Sequence, residues 1–243
     1  MVEPLVSARN LAANRSGPRV VGVIMSGADL DFAIRMRKPP DFFELRLDRL
    51  VRIVDELENK LPNLRAPLII TARHPQEGGA NKLSIRQRRN LLSRFLRRAS
   101  YVDVELRSAS ALRSVLRLAE RKKVRRIISF HNFKSTPQLR VLRAKARAAK
   151  TQGANIFKVA TRTDTAAQLA RLLDFMSKQK TVLSGAKRSR MDVNLPISAM
   201  GIGKLGAISR VLLARCGSAL VYAHLGKARI AGQLDLPSLR KSI

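Results

Sequence analysis

The stretch FFELRLD, residues 42–48, sets Glu44, Arg46 and Asp48 on alternate positions with Phe43, Leu45 and Leu47 between them. In an extended chain successive side chains point to opposite faces, so one face carries three charges and the other three apolar groups. Seven further runs rich in Val, Ile, Leu and Phe share its length and its punctuation by Pro, Gly or basic residues. They begin at Val20 (VVGVIM), Pro67 (PLIITAR), Tyr101 (YVDVEL), Arg126 (RIISFHNF), Asn155 (NIFKVAT), Leu195 (LPISAMGI) and Ser218 (SALVYAHL). The eight predicted strands recur at steps of roughly 22 to 40 residues, the length of one strand plus a crossover helix.

Between the runs, segments 85–98, 109–121, 137–151 and 165–178 repeat Leu, Val and Ala at three- and four-residue spacing, with Arg and Lys on the other positions. That period is helical. A shorter helix is expected over 29–37. Strands alternating with helices make a parallel sheet covered by helices. Eight such units are the arithmetic of a closed (β/α)8 barrel, the TIM barrel of the α/β class, rather than an open doubly wound sheet. Residues 20–243 are expected to form this barrel as a single domain. Residues 1–19, which end in Gly17 and Pro18, read as a polar tail. The long connection 179–194 (QKTVLSGAKRSRMDVN) reads as a surface insertion.

The 243 residues hold 48 Lys and Arg against 17 Asp and Glu, a net charge of +31, yet 45% are hydrophobic. A disordered polycation lacks that apolar content, so the chain folds. One cysteine, Cys216, excludes an intrachain disulfide and a cysteine metal cluster and fits a reducing compartment. No signal segment and no spanning apolar stretch interrupts the pattern, and a cytoplasmic protein is expected. The basic residues are spread over the helices. Zinc-ligand spacings and RNA-binding signatures are missing, and aromatics are only 4%. The charge therefore reads as solvated helix faces, with incidental polyanion binding as its consequence.

A parallel barrel strand is buried on both faces, so an ionisable residue within it is paired or functional. Besides Glu44, Arg46 and Asp48, YVDVEL places Asp103 and Glu105 on one face, and PLIITAR ends at Arg73. These can form a structural ion-pair network or a site. RIISFHNF delivers His131 near its end, and NIFKVAT carries Lys158 between Phe157 and Val159. Burying an ammonium among apolar groups favours its neutral, nucleophilic form. A histidine beside it is a general acid/base. His74 and His224 lack such company, and three scattered histidines make no metal site. A lysine amine, a histidine and a set of arginines describe Schiff-base chemistry on an anionic carbonyl compound.

At these residues the chain resembles the type I 3-dehydroquinate dehydratases of the shikimate pathway. FELRLD resembles that family's Glu-x-Arg-x-Asp strand, and IITARHPQEGG its Arg followed four residues later by Glu-Gly-Gly. YVDVEL is similar to its Asp-x-Glu strand, SFHNFKSTP to the catalytic histidine segment and ANIFKVAT to the Schiff-base lysine segment. GAISR is similar to the substrate-arginine segment and AGQL to the closing loop. The resemblance implies reversible dehydration of 3-dehydroquinate to 3-dehydroshikimate without metal or cofactor, by a homodimer. It implies Lys158 as the imine-forming amine, His131 as acid and base, and Glu77 as its orienting partner. It also implies Arg210 on the substrate carboxylate, Glu44, Arg46, Arg73 and Gln233 as further substrate contacts, and Phe133 and Met200 as apolar walls. Three positions depart from the family. Arg229 stands where a serine touches substrate and is expected either to contact the carboxylate in its place or to point to solvent. Ile202 replaces a methionine of similar volume. Asn132 replaces an Asp beside the catalytic histidine, so a change in the histidine's pKa is expected. Two other readings share part of this pattern. An aldolase-like Schiff-base barrel would use the glycine-rich GIGKLG, 201–206, for a phosphate. A polyanion-binding protein on a retained barrel would use the +31 charge.

Overall fold

The structure, a computed structural model, describes residues 17–183 and 195–243. Its strands are β1 (Arg19–Ile24), β2 (Phe42–Arg46), β3 (Leu68–Thr71), β4 (Tyr101–Glu105), β5 (Arg125–Asn132), β6 (Ile156–Arg162), β7 (Ile197–Ile202) and β8 (Leu220–His224). All ladders are parallel, in the order β7-β6-β5-β4-β3-β2-β1-β8. The two ends of that order meet. The Ala219 N–H donates to the Ile197 carbonyl at 2.8 Å, and the Ser198 hydroxyl donates to the Leu220 carbonyl at 2.8 Å. The sheet thus curls into a nearly closed (β/α)8 barrel, as the strand spacing predicts.

Around it lie α1 (Gly27–Arg35), α2 (Leu47–Leu50), α3 (Val54–Lys60), α4 (Ile85–Phe95), α5 (Arg113–Arg121), α6 (Leu139–Thr151), α7 (Ala166–Leu183), α8 (Gly206–Arg215) and α9 (Leu236–Ser242). Local chemistry sets several starts. Ser84 and Gln87 form a reciprocal capping box at α4, and the Asp235 side chain accepts the Ser238 N–H at α9. Cys216 sits half-buried at the end of α8.

Some boundaries differ from the sequence reading. β3 and β7 begin one residue after Pro67 and Pro196, which have no N–H to give to a ladder. Arg19, expected in the tail, opens β1; residues 1–16 of that tail lie outside the described residues. Helix α7 runs through Leu183, so the start of the expected 179–194 connection is helical. Residues 184–194 lie outside the described residues. Asp48 is also not on the strand, because the chain turns into α2 at Leu47.

Alternation sorts the side chains into two cores. Phe43, Leu45 and Leu47 face outward and pack with residues such as Leu92 and Phe95 of α4, in the layer between sheet and helices. The inward rows change character along each strand. They read Phe42, Glu44, Arg46 on β2; Ile69, Thr71, Arg73 on and after β3; Tyr101, Asp103, Glu105 on β4; and Ile127, Ser129, His131 on β5. The first residue of each row joins an apolar layer with Val21, Ile156 and Leu220. The later ones are polar and open to the C-terminal end. The fold therefore has an apolar floor and a charged upper interior, the side on which barrel enzymes build sites.

Candidate active site

Nearly every charge inside the barrel is partnered. Arg73, 2% exposed, forks onto Asp103 at 3.1 and 2.9 Å and also reaches Glu105 at 3.3 Å and the Ser129 hydroxyl at 2.6 Å. Burial alone would raise the Asp103 pKa, but Arg73 and Lys158 outweigh it and hold the carboxyl well below the usual carboxylate range. Arg46 forks onto Asp48 at 2.9 and 2.8 Å and donates to the Gly78 carbonyl at 3.0 Å. Behind this layer Arg88 of α4, 1% exposed, donates to Glu105, to the Ala72 carbonyl and to the Ser108 hydroxyl.

Lys158 rises from the middle of β6 and is 3% exposed. Its Nζ donates to Glu44 at 3.2 Å and to Asp103 at 3.0 Å, and it lies 3.9 Å from the centre of the Tyr222 ring. His131, on the neighbouring strand, has Nδ1 2.9 Å from Glu77 Oε2. The second ring nitrogen, Nε2, is left for the cavity. Burial, with Arg73 and Lys158 nearby, pushes the His131 pKa well below its ordinary value. Burial and the charge of Glu105 push the Glu77 carboxyl up to about 7.

Arg210 of α8 is the exception to the pairing. It is 2% exposed and meets only neutral acceptors: the Gly232 carbonyl at 3.1 Å, the Tyr222 carbonyl at 3.2 Å and the Met200 sulfur at 3.5 Å. Among the described residues it has no carboxylate partner, and burial lowers its pKa to about 10. An uncompensated guanidinium facing a cavity is a site for an anion.

One cavity of about 180 Å³ is lined by all nine residues expected from the sequence: Glu44, Arg46, Arg73, Glu77, His131, Lys158, Arg210, Arg229 and Gln233. Its size suits a small molecule rather than a nucleic-acid strand. Phe133, stacked at 6.4 Å on His131, and Met200 and Ile202 supply apolar wall. Four buried side-chain polar atoms among the described residues lack a partner, and three of them, on Arg49, Tyr222 and Gln233, belong to cavity residues. Native interiors rarely leave such atoms unmet, so water or a ligand is their expected partner. Gln233 is positioned by a close backbone contact. Gly232 has φ 77°, and a Cβ there would stand 2.5 Å from the Gly206 Cα, so the segment after β8 can dock on the start of α8 only as glycine.

Other expectations resolve differently. Asn132 turns away from the imidazole, and its Oδ1 accepts the Lys134 and Ser135 N–H groups, so the position caps a turn. His74 and His224 do not line the cavity. Sequence reasoning missed Tyr222, Arg49 and Arg88. The parity of SALVYAHL could have placed Tyr222 inward, whereas nothing distinguishes Arg88 from the surface arginines around it. Among the described residues no His, Cys, Asp and Glu are grouped to hold a metal ion. No described helix is long and apolar enough to cross a membrane.

Charge gathered on the C-terminal side of eight parallel strands, around a buried lysine and an acid–base pair, places the chain among the (β/α)8-barrel enzymes. The sequence model for type I 3-dehydroquinase matches residues 28–243, and the chain belongs to that family of lyases. The 3-dehydroquinate dehydratase of Pyrococcus abyssi is 32% identical over 201 residues, covering 82% of this chain and 85% of that protein. That of Desulfotalea psychrophila is 32% identical over 205 residues, covering 82% and 84%. The crystal structure of 3-dehydroquinate dehydratase from Geobacillus kaustophilus superimposes with a TM-score of 0.78 at 26% identity, covering 93% of this chain and 90% of that one.

Proposed function

We propose that the chain dehydrates 3-dehydroquinate to 3-dehydroshikimate, a step of the shikimate pathway, through an imine on Lys158. The observation that carries this reading is that Lys158, the His131–Glu77 pair and the unpaired Arg210 line one cavity. Arg210 takes the substrate carboxylate as a fork donor, which fixes the ring. The ammonium of Lys158 passes one proton to the C3 oxygen as its nitrogen adds to C3, and loss of water from the resulting protonated carbinolamine leaves a protonated imine. That cation draws electrons from C2, and His131 Nε2 removes a C2 proton to give the enamine. The enamine then expels the C1 hydroxyl, which leaves as water with the proton returned by His131. Hydrolysis of the conjugated imine frees the product and the amine. Glu77 holds the imidazole with Nε2 forward, and Glu44, Arg46, Arg73, Arg229 and Gln233 shape the polar surround.

The aldolase-like alternative needs a phosphate cradle in 201–206, and the backbone there is already engaged. The N–H groups of Gly201, Gly203, Lys204 and Leu205 donate to Ser209 Oγ, the Ala231 carbonyl, the Asp164 carboxylate and the Thr163 carbonyl. The favoured reading also makes 20–243 one catalytic domain, working as a homodimer in the cytoplasm.

The test is to incubate the protein with 3-dehydroquinate, follow the ultraviolet absorbance of the enone product, then add borohydride and map the mass adduct. Turnover with an adduct on Lys158 is expected. A folded sample giving neither turnover nor adduct would overturn the proposal.

A further inference from the structure

Two more guanidinium groups line the same cavity without an ion-pair partner among the described residues. Arg49, on α2, is half-buried, and its Nε is buried without a partner among the described residues. The nearest carboxylate, Asp48, is saturated. Its Oδ1 accepts from Arg46 Nε and the Arg73 N–H, and its Oδ2 from Arg46 Nη2 and the Ala80 N–H. Glu44 is taken by Thr71 and Lys158, and Glu77 by His131. Arg229 stands exposed on the segment after β8 and also lines the cavity.

Both arginines line the one cavity. Burial disfavours the charged form of Arg49, and the positive charges of Arg46 and Arg229 add to that, against the smaller opposing pull of Asp48. Arg210 is held on α8 instead, by its bonds to the Gly232 and Tyr222 carbonyls and the Met200 sulfur. Like charges gathered at a partly dry cavity mouth raise the local concentration of an opposite ion, and two planar forks match the oxygens of one tetrahedral or carboxylate anion. The carboxylate assigned to Arg210 leaves this pair unmet.

We propose that Arg49 and Arg229 form a second anion subsite at the cavity mouth, separate from Arg210, that takes a phosphate- or carboxylate-type oxyanion. An anion held there joins the segment after β8 to α2 across the opening, which blocks access to Lys158. The subsite rests on reading this cavity as the substrate site, but its occupancy is readable without turnover.

The test titrates inorganic phosphate into the wild type, Arg49→Gln, Arg229→Ser, the double variant and Arg210→Met, by calorimetry and by inhibition of turnover. The expected result is one phosphate per chain, competitive with substrate. The double variant should bind about tenfold or more weakly, and Arg210→Met within about twofold of wild type. If weakening follows Arg210→Met instead, phosphate occupies the substrate carboxylate position and the subsite is refuted. Equal binding by wild type and double variant, or many weak sites that vanish with salt, also refutes it. Arg229→Ser alters an exposed side chain and keeps the test decisive should Arg49→Gln fold poorly. Calorimetry still reads the subsite if the dehydratase reading fails.

Discussion

A single oxygen of Glu77 accepts both the backbone N–H of His131, at 3.1 Å, and a contact from its Nδ1, at 2.9 Å. The carboxylate therefore fixes the strand end and the imidazole together, and it decides which ring nitrogen is free.

This coupling sets a pH dependence. Above about pH 7 Glu77 is ionised, Nδ1 carries the proton, and Nε2 is a free base. A further proton removes that base wherever it binds. On the ring it occupies Nε2; on Glu77 it makes the carboxyl a donor to Nδ1 and shifts the ring proton to Nε2. The rate constant kcat/KM should fall as pH drops through about 7. Glu77→Gln should lose that limb and lower kcat about 10- to 100-fold. An unchanged acid limb in the variant would count against the pair.

The same carboxyl affects stability. Its folded pKa, about 7, is raised above the ordinary 4.5, so its contribution is fully present below about pH 4.5 and lost as pH rises through about 7. A rise of about 2.5 units corresponds to roughly 3 kcal/mol as an upper bound. Glu77→Gln should therefore gain stability on the wild type between pH 5 and pH 8 in urea unfolding, and parallel pH curves would contradict this.

Lys158→Met should abolish turnover and the borohydride adduct. It also leaves Glu44 and Asp103 without their shared ammonium, which should destabilise the fold by about 3 kcal/mol at neutral pH. Thermal melts of the variant and the wild type at neutral pH would read the deficit, and equal melts would contradict it.

Arg210→Met should behave oppositely. The guanidinium has no described carboxylate partner, so its removal should leave Tm equal or higher while KM for 3-dehydroquinate rises about 100-fold. A large loss of Tm would show that Arg210 is structural.

Gly232→Ala should raise KM with little change in the global melt, because only the segment carrying Gln233 must move away from Gly206. Unchanged KM would mean that Gln233 acts without that docking.

The number and spacing of the eight apolar runs were enough to read the barrel, and the alternation in FFELRLD and YVDVEL its charged interior, because a side chain's face follows from its parity in a strand. Lys158 and His131 were legible for the same reason. Glu77, Arg210, Arg229 and Gln233 lie beyond strands, where parity says nothing, and they came from the family resemblance. Arg88 was invisible. It leaves α4 among Arg86, Arg89 and Arg94, and only the three-dimensional path of the helix turns one arginine of that set under the barrel wall to Glu105. Arg49 was hidden likewise, since the strand ends three residues before it.

The floor made by Val21, Phe42, Ile69, Tyr101, Ile127, Ile156 and Leu220 has a kinetic consequence. Among the described residues this layer closes the lower end, which leaves the reaction chamber a doorway on the C-terminal side. Reactant and product must pass it in turn, so a departing molecule and an arriving one exclude each other. Any solute lodged in that doorway slows entry and exit alike.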